Sequence, residues 1–547
     1  MPGTLLKKKI KGHIYWYYVV CKRVNGKPKL VQQVYLGTPE QLLALKQNPE
    51  ATPKEASHLD FALPAALYQL AEEIGLIPII NSFTQGTSAG LDVGQYIVLA
   101  AINRVCKPRS KNGIRTWYQK TILPQLFTIG SSRVNSQRFW DAMDEIDVQV
   151  IPKIEGKLWE RILQEYKIPL DVLIYDTTNF FNYMSDKTES ELSKRGHSKA
   201  SRDHLRQVGL AVSIIRGLGL PLLHELYDGS KNDATFFPTA ITNLVKRIKV
   251  LTENVEGMTI VFDKGNNSED NIARVEGEGI HFIGTLKPSE YPALCKARIS
   301  RYKEGTLRNG DEVRYYESRA EVAGKKRPVV VTYNEAAEKK KRIRFEKQIG
   351  KALAALNQVR WATVKDPEAK VKEIASAHHV PTGLFSVTES AAGVHVTLNQ
   401  KAVKGYAHRF GKTIYFTDRE DFSALEVVES YRDRNEVEEL FKEMNDPQLV
   451  PFRPVYHWTD QKIIVHAFIC VLGLLLFRLL QLKAKQGGID LTMEVLKEEL
   501  MDVQSHIYVT VHGQIYNVIS KTSPIQSKLF RIYRLHEVCG QLGIQPP

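Results

Sequence analysis

The chain has 547 residues, too many for one hydrophobic core, so we expect two to four domains. Its 75 lysines and arginines outnumber the 61 acidic residues, and the net charge of +14 favours a polyanionic partner such as nucleic acid or an anionic membrane surface. The five cysteines lie far apart without a C-x-x-C pair, which argues against a zinc ribbon or a disulfide framework and fits a reducing cytoplasm.

Residues 1–58 are predicted to form a basic β-hairpin region. Eight lysines and arginines precede the first acidic residue, Glu40, and Asn25-Gly26 separates two runs that are rich in apolar and aromatic residues. An Asn-Gly pair in that position is typical of a tight hairpin turn. The apolar part is short, rich in tyrosine and lacks a small-residue cleavage site, so a signal peptide is not favoured. The hairpin is either a DNA contact or a small solvated sheet.

Residues 59–165 are predicted to form a helical DNA-binding region. Between its helical segments lies the basic stretch "NRVCKPRSKNGIRTWYQK" (103–120), which carries Trp117 and Tyr118. The lysines and arginines of such a stretch are suited to phosphate contacts. No helix-turn-helix pattern is clear enough to name.

In residues 166–287, the first part of a predicted α/β domain, two apolar runs are followed by an aspartate. Asp176 follows "VLIY" and Asp263 follows "TIVF". A carboxylate at the end of a buried strand is unfavourable unless it is paired or binds a metal ion, and α/β folds place ligands at the C-terminal ends of strands. Either the two aspartates share a site, or each is an ordinary turn or cap residue. The succession of strands, with a strand-helix-strand unit in which Ser268 is the predicted N-cap, indicates a mixed sheet.

A strand-rich insertion is predicted at residues 288–411, because short strands there surround the basic helical run "EAAEKKKRIRFEKQIGKALAALNQV". "KTIYFTD" then begins the second part of the α/β domain, residues 412–485. The longest apolar run, 463–482, carries a histidine and an arginine, so a buried core helix is favoured over a membrane span. The remaining C-terminal region, residues 486–547, shows no recognisable chemistry.

The stretch "ESYRDRNEVEELFKEMND", residues 429–446, is rich in acidic side chains. On a helix with about 100° per residue, four of them point away from the apolar stripe and toward solvent. These four are Glu436, Glu439, Glu443 and Asp446. Glu438 borders the stripe on the side of Tyr431 and Arg434, and Asp433 also touches the stripe. The helix geometry therefore leaves two candidates, Glu438 and Asp433, for a catalytic carboxylate.

Tyr431-x-x-Arg434-x-x-x-Glu438 resembles the Y-x-x-R-x-x-x-E-x-x-x-x-x-x-K signature of a large group of bacterial insertion-sequence transposases with a DDE catalytic domain. "YDTTNFF" and "VFDKGNNS" resemble the first and second acidic motifs of that group. The likeness runs from about residue 170 to 480 and also touches the N-terminal hairpin and "KPRSKNGIRTW".

The sequence departs from the signature at its lysine position, which holds Asn445, while Lys442 lies one turn earlier. In the group that lysine usually contacts DNA, so the departure bears on end recognition and strand transfer more than on metal binding. The resemblance also implies that the tyrosine and arginine of the signature contact DNA near the scissile phosphate. The predicted DNA-binding residues are Lys287, Tyr431, Arg434, Lys442 and Arg453.

The resemblance implies a ribonuclease-H-like catalytic domain, interrupted by the insertion, in which Asp176, Asp263 and Glu438 are the catalytic and metal-binding residues. Phosphodiester cleavage needs an activated water or 3′-hydroxyl and a stabilised leaving oxygen, which two Mg²⁺ ions about 4 Å apart provide. Mg²⁺ takes few protein ligands, so three carboxylates suffice. Asp176 is expected to bridge the two ions while the other two acids hold one each, and Mn²⁺ is expected to substitute for Mg²⁺.

The predicted function is that of a DNA transposase that binds terminal inverted repeats, cleaves DNA at the element ends and joins the 3′-hydroxyl to target DNA. Its expected partner is double-stranded DNA, both element ends and target, on which it assembles as a homodimer. It is expected in the bacterial cytoplasm, associated with the nucleoid, and no membrane partner is expected. Two alternatives stay open: a catalytically silent, transposase-derived DNA-binding protein, and a metal-dependent nuclease without strand transfer. The presence of all three acids argues against the silent protein.

Overall fold

The fold is that of a computed structural model. It describes residues 3–10, 13–24, 27–47, 53–85, 90–185, 187–196, 203–252, 255–390, 393–453, 455, 457–510 and 514–547. The chain divides into two compact units. The first contains Met1–Glu73, Thr87–Trp140 and Leu479–Pro547, and the second contains Ile74–Gly86 and Asp141–Arg478.

The N-terminal part of the chain begins with a small sheet and continues as helices. The strands are β1 (Thr4–Ile10), β2 (His13–Val24), β3 (Lys27–Gly37) and β4 (Pro53–Asp60). The helices are α1 (Pro39–Gln47), α2 (Ala62–Glu73), α3 (Leu76–Asn81), α4 (Val93–Cys106), α5 (Lys111–Tyr118), α6 (Leu123–Leu126), α7 (Ser136–Asp144) and α8 (Ile151–Tyr166). β1, β2 and β3 form an antiparallel sheet, so the predicted hairpin region contains a third strand. The predicted Asn25-Gly26 turn lies outside the described residues.

The basic stretch 103–120 spans the end of α4 and all of α5. Its aromatic residues Trp117 and Tyr118 are buried in the hydrophobic core, whereas Arg109 and Arg115 are exposed. The aromatic pair therefore packs the helices together. Arg104 and Lys111 of the stretch are buried as well, so only some of its basic side chains reach solvent.

The middle of the chain alternates strands and helices. Its strands are β5 (Val172–Asn182), β6 (Lys194–Arg195), β7 (Arg206–Ile215), β8 (Leu220–Asp228), β9 (Thr259–Val261), β10 (His281–Leu286), β11 (Lys303–Thr306), β12 (Glu312–Val322), β13 (Lys325–Tyr333), β14 (Phe385–Ser390), β15 (Gly393–Leu398) and β16 (Lys412–Thr417). Its helices are α9 (Asp233–Leu251), α10 (Glu269–Gly277), α11 (Pro292–Cys295), α12 (Glu335–Asn357), α13 (Pro367–Ala377), α14 (Gln400–Ala407), α15 (Ala424–Arg432), α16 (Asn435–Glu443) and α17 (Asp460–Gln486). Ser268 is the N-cap of α10, as predicted, and accepts from the amide of Asn271.

One large mixed sheet organises the second unit. Among the described residues it contains ten strands in the order β11-β12-β13-β16-β10-β9-β5-β7-β6, with β8 paired to β7. β5, β9 and β10 are parallel to one another, while β7 is antiparallel to β5 and β16 is antiparallel to β10. The predicted mixed α/β sheet is confirmed, and the carboxyl ends of its parallel strands meet at one edge.

The region predicted as an insertion, 288–411, divides into two parts. Its strands β11, β12 and β13 extend the main sheet, because β13 pairs with β16. The chain leaves the sheet after Tyr333 and returns at Lys412, and the intervening helices pack around their own hydrophobic cluster, which includes Phe345 and Phe410. The separate body of the insertion therefore begins only after β13.

α17 contains the longest apolar run of the chain. It is long and apolar enough to cross a membrane by length and composition, with a mean hydropathy of 2.6, yet 89% of its most apolar window is buried inside the protein. The histidine and the arginine of this run have partners: a ring nitrogen of His466 is 2.8 Å from the carbonyl oxygen of Phe452, and Arg478 pairs with Glu443. These contacts agree with the predicted core helix.

The C-terminal region joins the N-terminal region in the first unit. Its elements are α18 (Met493–Met501), β17 (Gln504–Thr510), β18 (Ile515–Ile519), α19 (Pro524–Ile532) and α20 (Leu535–Leu542). β17 pairs with β4 in a three-stranded sheet in the order β18-β17-β4. Residues from both ends of the chain thus complete one sheet.

Candidate active site

The register of two parallel strands places Asp176 and Asp263 side by side. Ile174 in β5 is paired with Val261 in β9, and each aspartate lies two residues after its member of that pair. Neighbouring strands are about 4.8 Å apart, and residues two apart along a strand share a face. The two aspartates therefore start from adjacent positions at the carboxyl end of β9.

β5 does not end at Asp176, contrary to the prediction. The strand continues to Asn182, because β7 pairs with it along this length. It is the neighbouring strand β9 that ends, at Val261. Asp176 therefore lies at the level where β5 loses its parallel neighbour, beside Asp263.

Two short helices, α15 and α16, carry the third predicted carboxylate. α15 begins with a capping box, in which Ser423 accepts from the amide of Glu426 and the Glu426 side chain accepts from the amide of Ser423. Between the helices the hydrogen bonds change to the i→i+3 pattern, as from the amide of Glu436 to the carbonyl of Asp433. This tighter turn departs from the continuous α-helix that the sequence-based prediction assumed.

The guanidinium of Arg434 contacts all three predicted catalytic carboxylates. Nη1 is 3.1 Å from an oxygen of Asp176, while Nη2 is 2.5 Å from Oε1 of Glu438 and 4.0 Å from Oδ1 of Asp263. Because the last two oxygens contact the same nitrogen, they lie no more than about 6.5 Å apart, a separation that metal-bridged carboxylates can span. The structure thus gathers the three acids at one edge of the sheet.

Tyr431 links this cluster to β10. Thr285 donates a hydrogen bond to the Tyr431 hydroxyl at 3.0 Å, and that hydroxyl donates to Oδ1 of Asp263 at 3.3 Å. Burial raises the pKa of Tyr431 to about 12, so the hydroxyl keeps its proton and stays a donor. The sequence reasoning missed Thr285, although a threonine near the end of the next parallel strand was an available signal.

The cluster has more negative than positive charge. Burial opposes the charge of Arg434, but Asp176 and the other acidic groups around it outweigh this effect and raise the pKa of the guanidinium, which stays charged. Among the described ion pairs of this cluster, one guanidinium therefore faces three carboxylates. The side chains of Asp263 and Glu438 are 37% and 42% exposed, so a ligand can reach them from solvent.

The donor set suits a hard divalent cation, because carboxylate oxygens are the ligands that Mg²⁺ prefers. As the side chains stand, no group of three or more His, Cys, Asp or Glu residues within the described ranges is arranged to hold a metal ion. At this edge the guanidinium of Arg434 lies between the carboxylates. The residues therefore fit Mg²⁺ through the type of their donor atoms. A divalent ion would supply the positive charge that a single arginine does not.

Two of the four acids predicted to face solvent instead have partners from distant parts of the chain. Glu436 accepts from the amide of Gly217 at 2.9 and 3.0 Å, and burial, followed by the charge of Asp433, raises the pKa of Glu436 to about 7. Glu443 pairs with Arg478 of α17, and both side chains are nearly buried. The predictions for Glu436 and Glu443 were wrong because they assumed one continuous helix. They included neither the break before α16 nor the elements that pack on this helix.

Asp433, the second candidate that the helix geometry left open, has a different partner from Glu438. Asp433 lies 3.7 Å from Arg216, and burial raises the pKa of its carboxyl. Glu438 instead meets Arg434, as Asp176 does. Packing therefore separates two residues that the helix geometry alone left equivalent.

The predicted DNA-binding residues differ in their surroundings. Lys287 follows β10, is exposed and pairs with Glu290 at 3.1 Å. Lys442 is exposed on α16. Tyr431 and Arg434 are turned toward the carboxylates, so in this state they hold the acidic cluster together.

Arg453 lies beside the position where the signature has its lysine. Its guanidinium is 4.0 Å from the ring of Phe181 and donates to the side chain of Asn445 at 3.3 Å. A cation is therefore present next to Asn445, although it comes from a different part of the sequence.

Two solved transposase structures resemble the chain weakly. A piggyBac transposase synaptic complex with hairpin DNA gives a TM-score of 0.36 at 10% identity, over 82% of each chain. A Mos1 transposase paired-end complex with the left transposon end gives a TM-score of 0.16 at 11% identity, over 38% of this chain and 63% of that chain. No curated protein matches the sequence.

A family match covers the part of the chain that contains the acidic cluster. The transposase DDE domain family matches residues 170–450, just over half of the chain. Asp176, Asp263 and Glu438 all lie within the matched range. The chain therefore belongs to the family of transposases with a DDE domain.

Proposed function

We propose that this protein is a DNA transposase that binds the terminal inverted repeats of an insertion sequence, cleaves DNA at the element ends and joins the freed 3′-hydroxyl to target DNA. The observation that carries the proposal is the gathering of Asp176, Asp263 and Glu438 around Arg434 within the transposase domain. The signature that begins at Tyr431 supports the insertion-sequence group. The strand order β8-β7-β5-β9-β10, with β7 antiparallel, supports the ribonuclease-H-like class.

Asp176, Asp263 and Glu438 would hold two Mg²⁺ ions, with Mn²⁺ as a substitute. When bound, the ions activate the attacking water or 3′-hydroxyl and stabilise the leaving oxygen. The proposal needs no further protein ligand, since Mg²⁺ completes its coordination shell with water and phosphate oxygens.

The neighbouring side chains position the carboxylates. Arg434 contacts each of them and so holds three like charges close together. The same guanidinium presents a fork of donors that matches phosphate oxygens, so it can turn to a scissile phosphate when DNA is bound. Thr285 and Tyr431 fix Asp263 through two successive hydrogen bonds.

Cations near the cluster are suited to the DNA backbone. Lys287 and Lys442 are exposed, and Arg453 places a positive charge beside Asn445. The net charge of +14 adds a general attraction to DNA. Two element ends, held by a homodimer in the bacterial cytoplasm, are the proposed assembly.

The test is a cleavage and joining assay with the full chain, DNA that carries the repeats flanking its gene, and a supercoiled target plasmid. We expect cut ends and joined products in Mg²⁺ or Mn²⁺. In Ca²⁺ we expect binding without cleavage, because the larger ion tolerates looser coordination and does not align the reacting oxygens.

Each other outcome of this assay excludes part of the proposal. Undiminished cleavage in excess chelator would contradict the metal requirement. Cut ends that are never joined would identify a nuclease without strand transfer. Specific binding that never leads to cleavage would identify the catalytically silent DNA-binding protein.

A further inference from the structure

The basic run of the insertion folds into α12 and presents four cations on one face of that helix. At about 100° per residue, these four side chains fall within about 60° of one another around the axis. They extend along about 16 Å of the helix, at a rise of 1.5 Å per residue. This basic stripe consists of Lys340, Arg344, Lys347 and Lys351, all of which are exposed.

The opposite face of α12 is fixed in the hydrophobic cluster of the insertion. Its buried residues are Phe345, Ile349, Ala352 and Leu356. The ring of Phe345 packs against Tyr406 at 4.9 Å and against Phe410 at 5.1 Å. Because the buried face anchors the helix, the basic stripe is held toward solvent in one orientation.

Among the described residues the stripe cations have no acidic partner, unlike other cations of the same helix. Lys339 pairs with Glu335 at 2.7 Å, and Arg342 pairs with Glu338 at 2.5 Å. Within the described part of the chain, no ion pair involves a residue of the basic stripe. The acids of α12 lie elsewhere around the axis, so the stripe carries uncompensated positive charge.

The insertion stands at the same edge of the sheet as the acidic cluster. The end of β10, Leu286, is paired with Ile414 in β16, and the start of β16, Lys412, is paired with Tyr333 at the end of β13. β10 is parallel to β9, whose carboxyl end leads into Asp263. α12 therefore begins at the edge where the candidate active site lies.

We propose that the basic stripe binds the phosphate backbone of duplex DNA next to the active site, an inference that rests on the proposed function. Duplex DNA has one phosphate per about 3.4 Å along each strand, so about 16 Å of helix matches several successive phosphates. Lysine and arginine side chains are typical phosphate contacts, which position a protein on the duplex without reading its sequence. The stripe therefore contributes affinity that does not depend on sequence.

The test compares two variants of the full chain, each of which loses four positive charges. One changes the basic stripe to glutamine: Lys340→Gln, Arg344→Gln, Lys347→Gln and Lys351→Gln. The control changes exposed cations that have acidic partners: Lys303→Gln, Arg319→Gln, Lys325→Gln and Lys339→Gln. Both sets contain three lysines and one arginine. Circular dichroism and thermal unfolding check that each variant is folded.

The measurement is the affinity for a random-sequence duplex of 30 base pairs, at several salt concentrations without divalent ions. In a plot of the logarithm of the binding constant against the logarithm of the salt concentration, each phosphate contact adds about 0.9 to the magnitude of the slope. The slope of the stripe variant should therefore be smaller in magnitude by about 3 to 4 than that of the wild type. Its affinity near 100 mM salt should fall at least about tenfold, and that of the control much less. Equal losses in both variants, or none in either, would overturn the proposal.

An acidic protein partner would give a different result. In that case poly-glutamate binding would fall in the stripe variant while duplex binding stayed at the wild-type level, which also overturns the proposal. Cleavage by the wild type in Mg²⁺ separates this inference from the proposed function. A wild type that cleaves, with a stripe variant that binds normally, contradicts only the role of the stripe. A stripe-dependent slope in a wild type that never cleaves contradicts only the catalysis.

Discussion

Two clusters of charged side chains lie against the same sheet, and they differ in how their charges balance. Tyr175 and Asp176 are consecutive in β5, so their side chains point to opposite faces of the sheet. Tyr175 lines a small cavity with His224 and Arg247, which belong to a buried cluster completed by Glu155. Asp176 belongs to the acidic cluster around Arg434.

In the buried cluster, Glu155 pairs with both Arg247 and His224, and the three side chains together carry one negative and one positive charge. Glu155 pairs with Arg247, and its other oxygen is 2.6 Å from Nδ1 of His224. Burial lowers the pKa of His224 to about 4, so the ring is neutral at pH 7 and donates its proton to the hydrogen bond with Glu155. One carboxylate thus faces one guanidinium.

The acidic cluster has three carboxylates for one guanidinium, and two of its acids are more than a third exposed. Removing one partner from a balanced buried pair is costly, whereas like charges gathered at a sheet edge cost stability until a cation binds. This difference supports a structural role for Glu155 and the proposed catalytic role of Asp176. Removing one carboxylate from each cluster should therefore lower cleavage in one case and stability in the other.

The largest expected effect is on cleavage by Asp176→Asn. The change keeps the size of the side chain but removes a metal-binding charge, so DNA cleavage in Mg²⁺ should fall by at least about 10³-fold. The melting temperature should stay the same or rise, because one of the unbalanced charges is gone. Asp433→Asn, on the same edge but paired with Arg216, is the matched control and should keep most of the activity.

Glu155→Gln should have the opposite profile. It leaves the buried Arg247 guanidinium without its carboxylate, and breaking a buried pair in this way costs about 3 to 5 kcal/mol. Urea unfolding should therefore shift to lower concentration, while the cleavage rate per folded molecule stays near that of the wild type. A variant with wild-type stability and lost cleavage would reverse the assignment of the two clusters.

Metal binding should stabilise the acidic cluster alone. Mg²⁺ at about 100 times its dissociation constant adds about 2.7 kcal/mol to the stability of a protein that binds it only when folded. We expect the melting temperature to rise with Mg²⁺ and to return with a chelator. The double variant Asp176→Asn, Asp263→Asn should not respond, whereas Glu155→Gln should still respond. A wild type without any shift would contradict the predicted site.

The smallest expected effect is a pH dependence of stability from His224. Its folded pKa of about 4 lies below the unfolded value of 6.5, so its contribution is complete above pH 6.5 and is lost as the pH falls toward 4. Between pH 7.5 and 5.5 the loss is about 1 kcal/mol. His224→Gln keeps a donor for Glu155 but does not titrate, so its stability should change less with pH over this interval. An identical pH profile in both proteins would show that His224 does not titrate this way.

The sequence carried enough information for the mixed sheet and the placement of the two aspartates. Apolar runs before Asp176 and Asp263 marked the strands, and the register of β5 and β9 brings the acids together. The sequence did not show that β5 continues past Asp176, because that depends on pairing with β7, which is distant along the chain. It also did not show that strands of the predicted insertion extend the sheet.

The polar contacts that the helix periodicity did not predict are made with residues from distant parts of the chain. Glu436 is held by a backbone amide at Gly217 and Glu443 by Arg478, and neither partner is visible in a pattern of 18 residues. The same limit applies to Thr285, whose contact with Tyr431 depends on the packing of α15 on β10. Local periodicity finds the side of a helix that is buried, but not the polar groups that meet it there.

The most direct test of the central claim is strand cleavage by Glu438→Gln beside Glu439→Gln. These neighbours on α16 differ in position: Glu438 contacts Arg434, and Glu439 is exposed. We predict that Glu438→Gln lowers cleavage in Mg²⁺ by at least about 10³-fold with DNA binding retained, and that Glu439→Gln stays within about twofold of the wild type. Wild-type cleavage by Glu438→Gln, with loss of cleavage by Asp433→Asn, would contradict the claim and move the third metal ligand to Asp433.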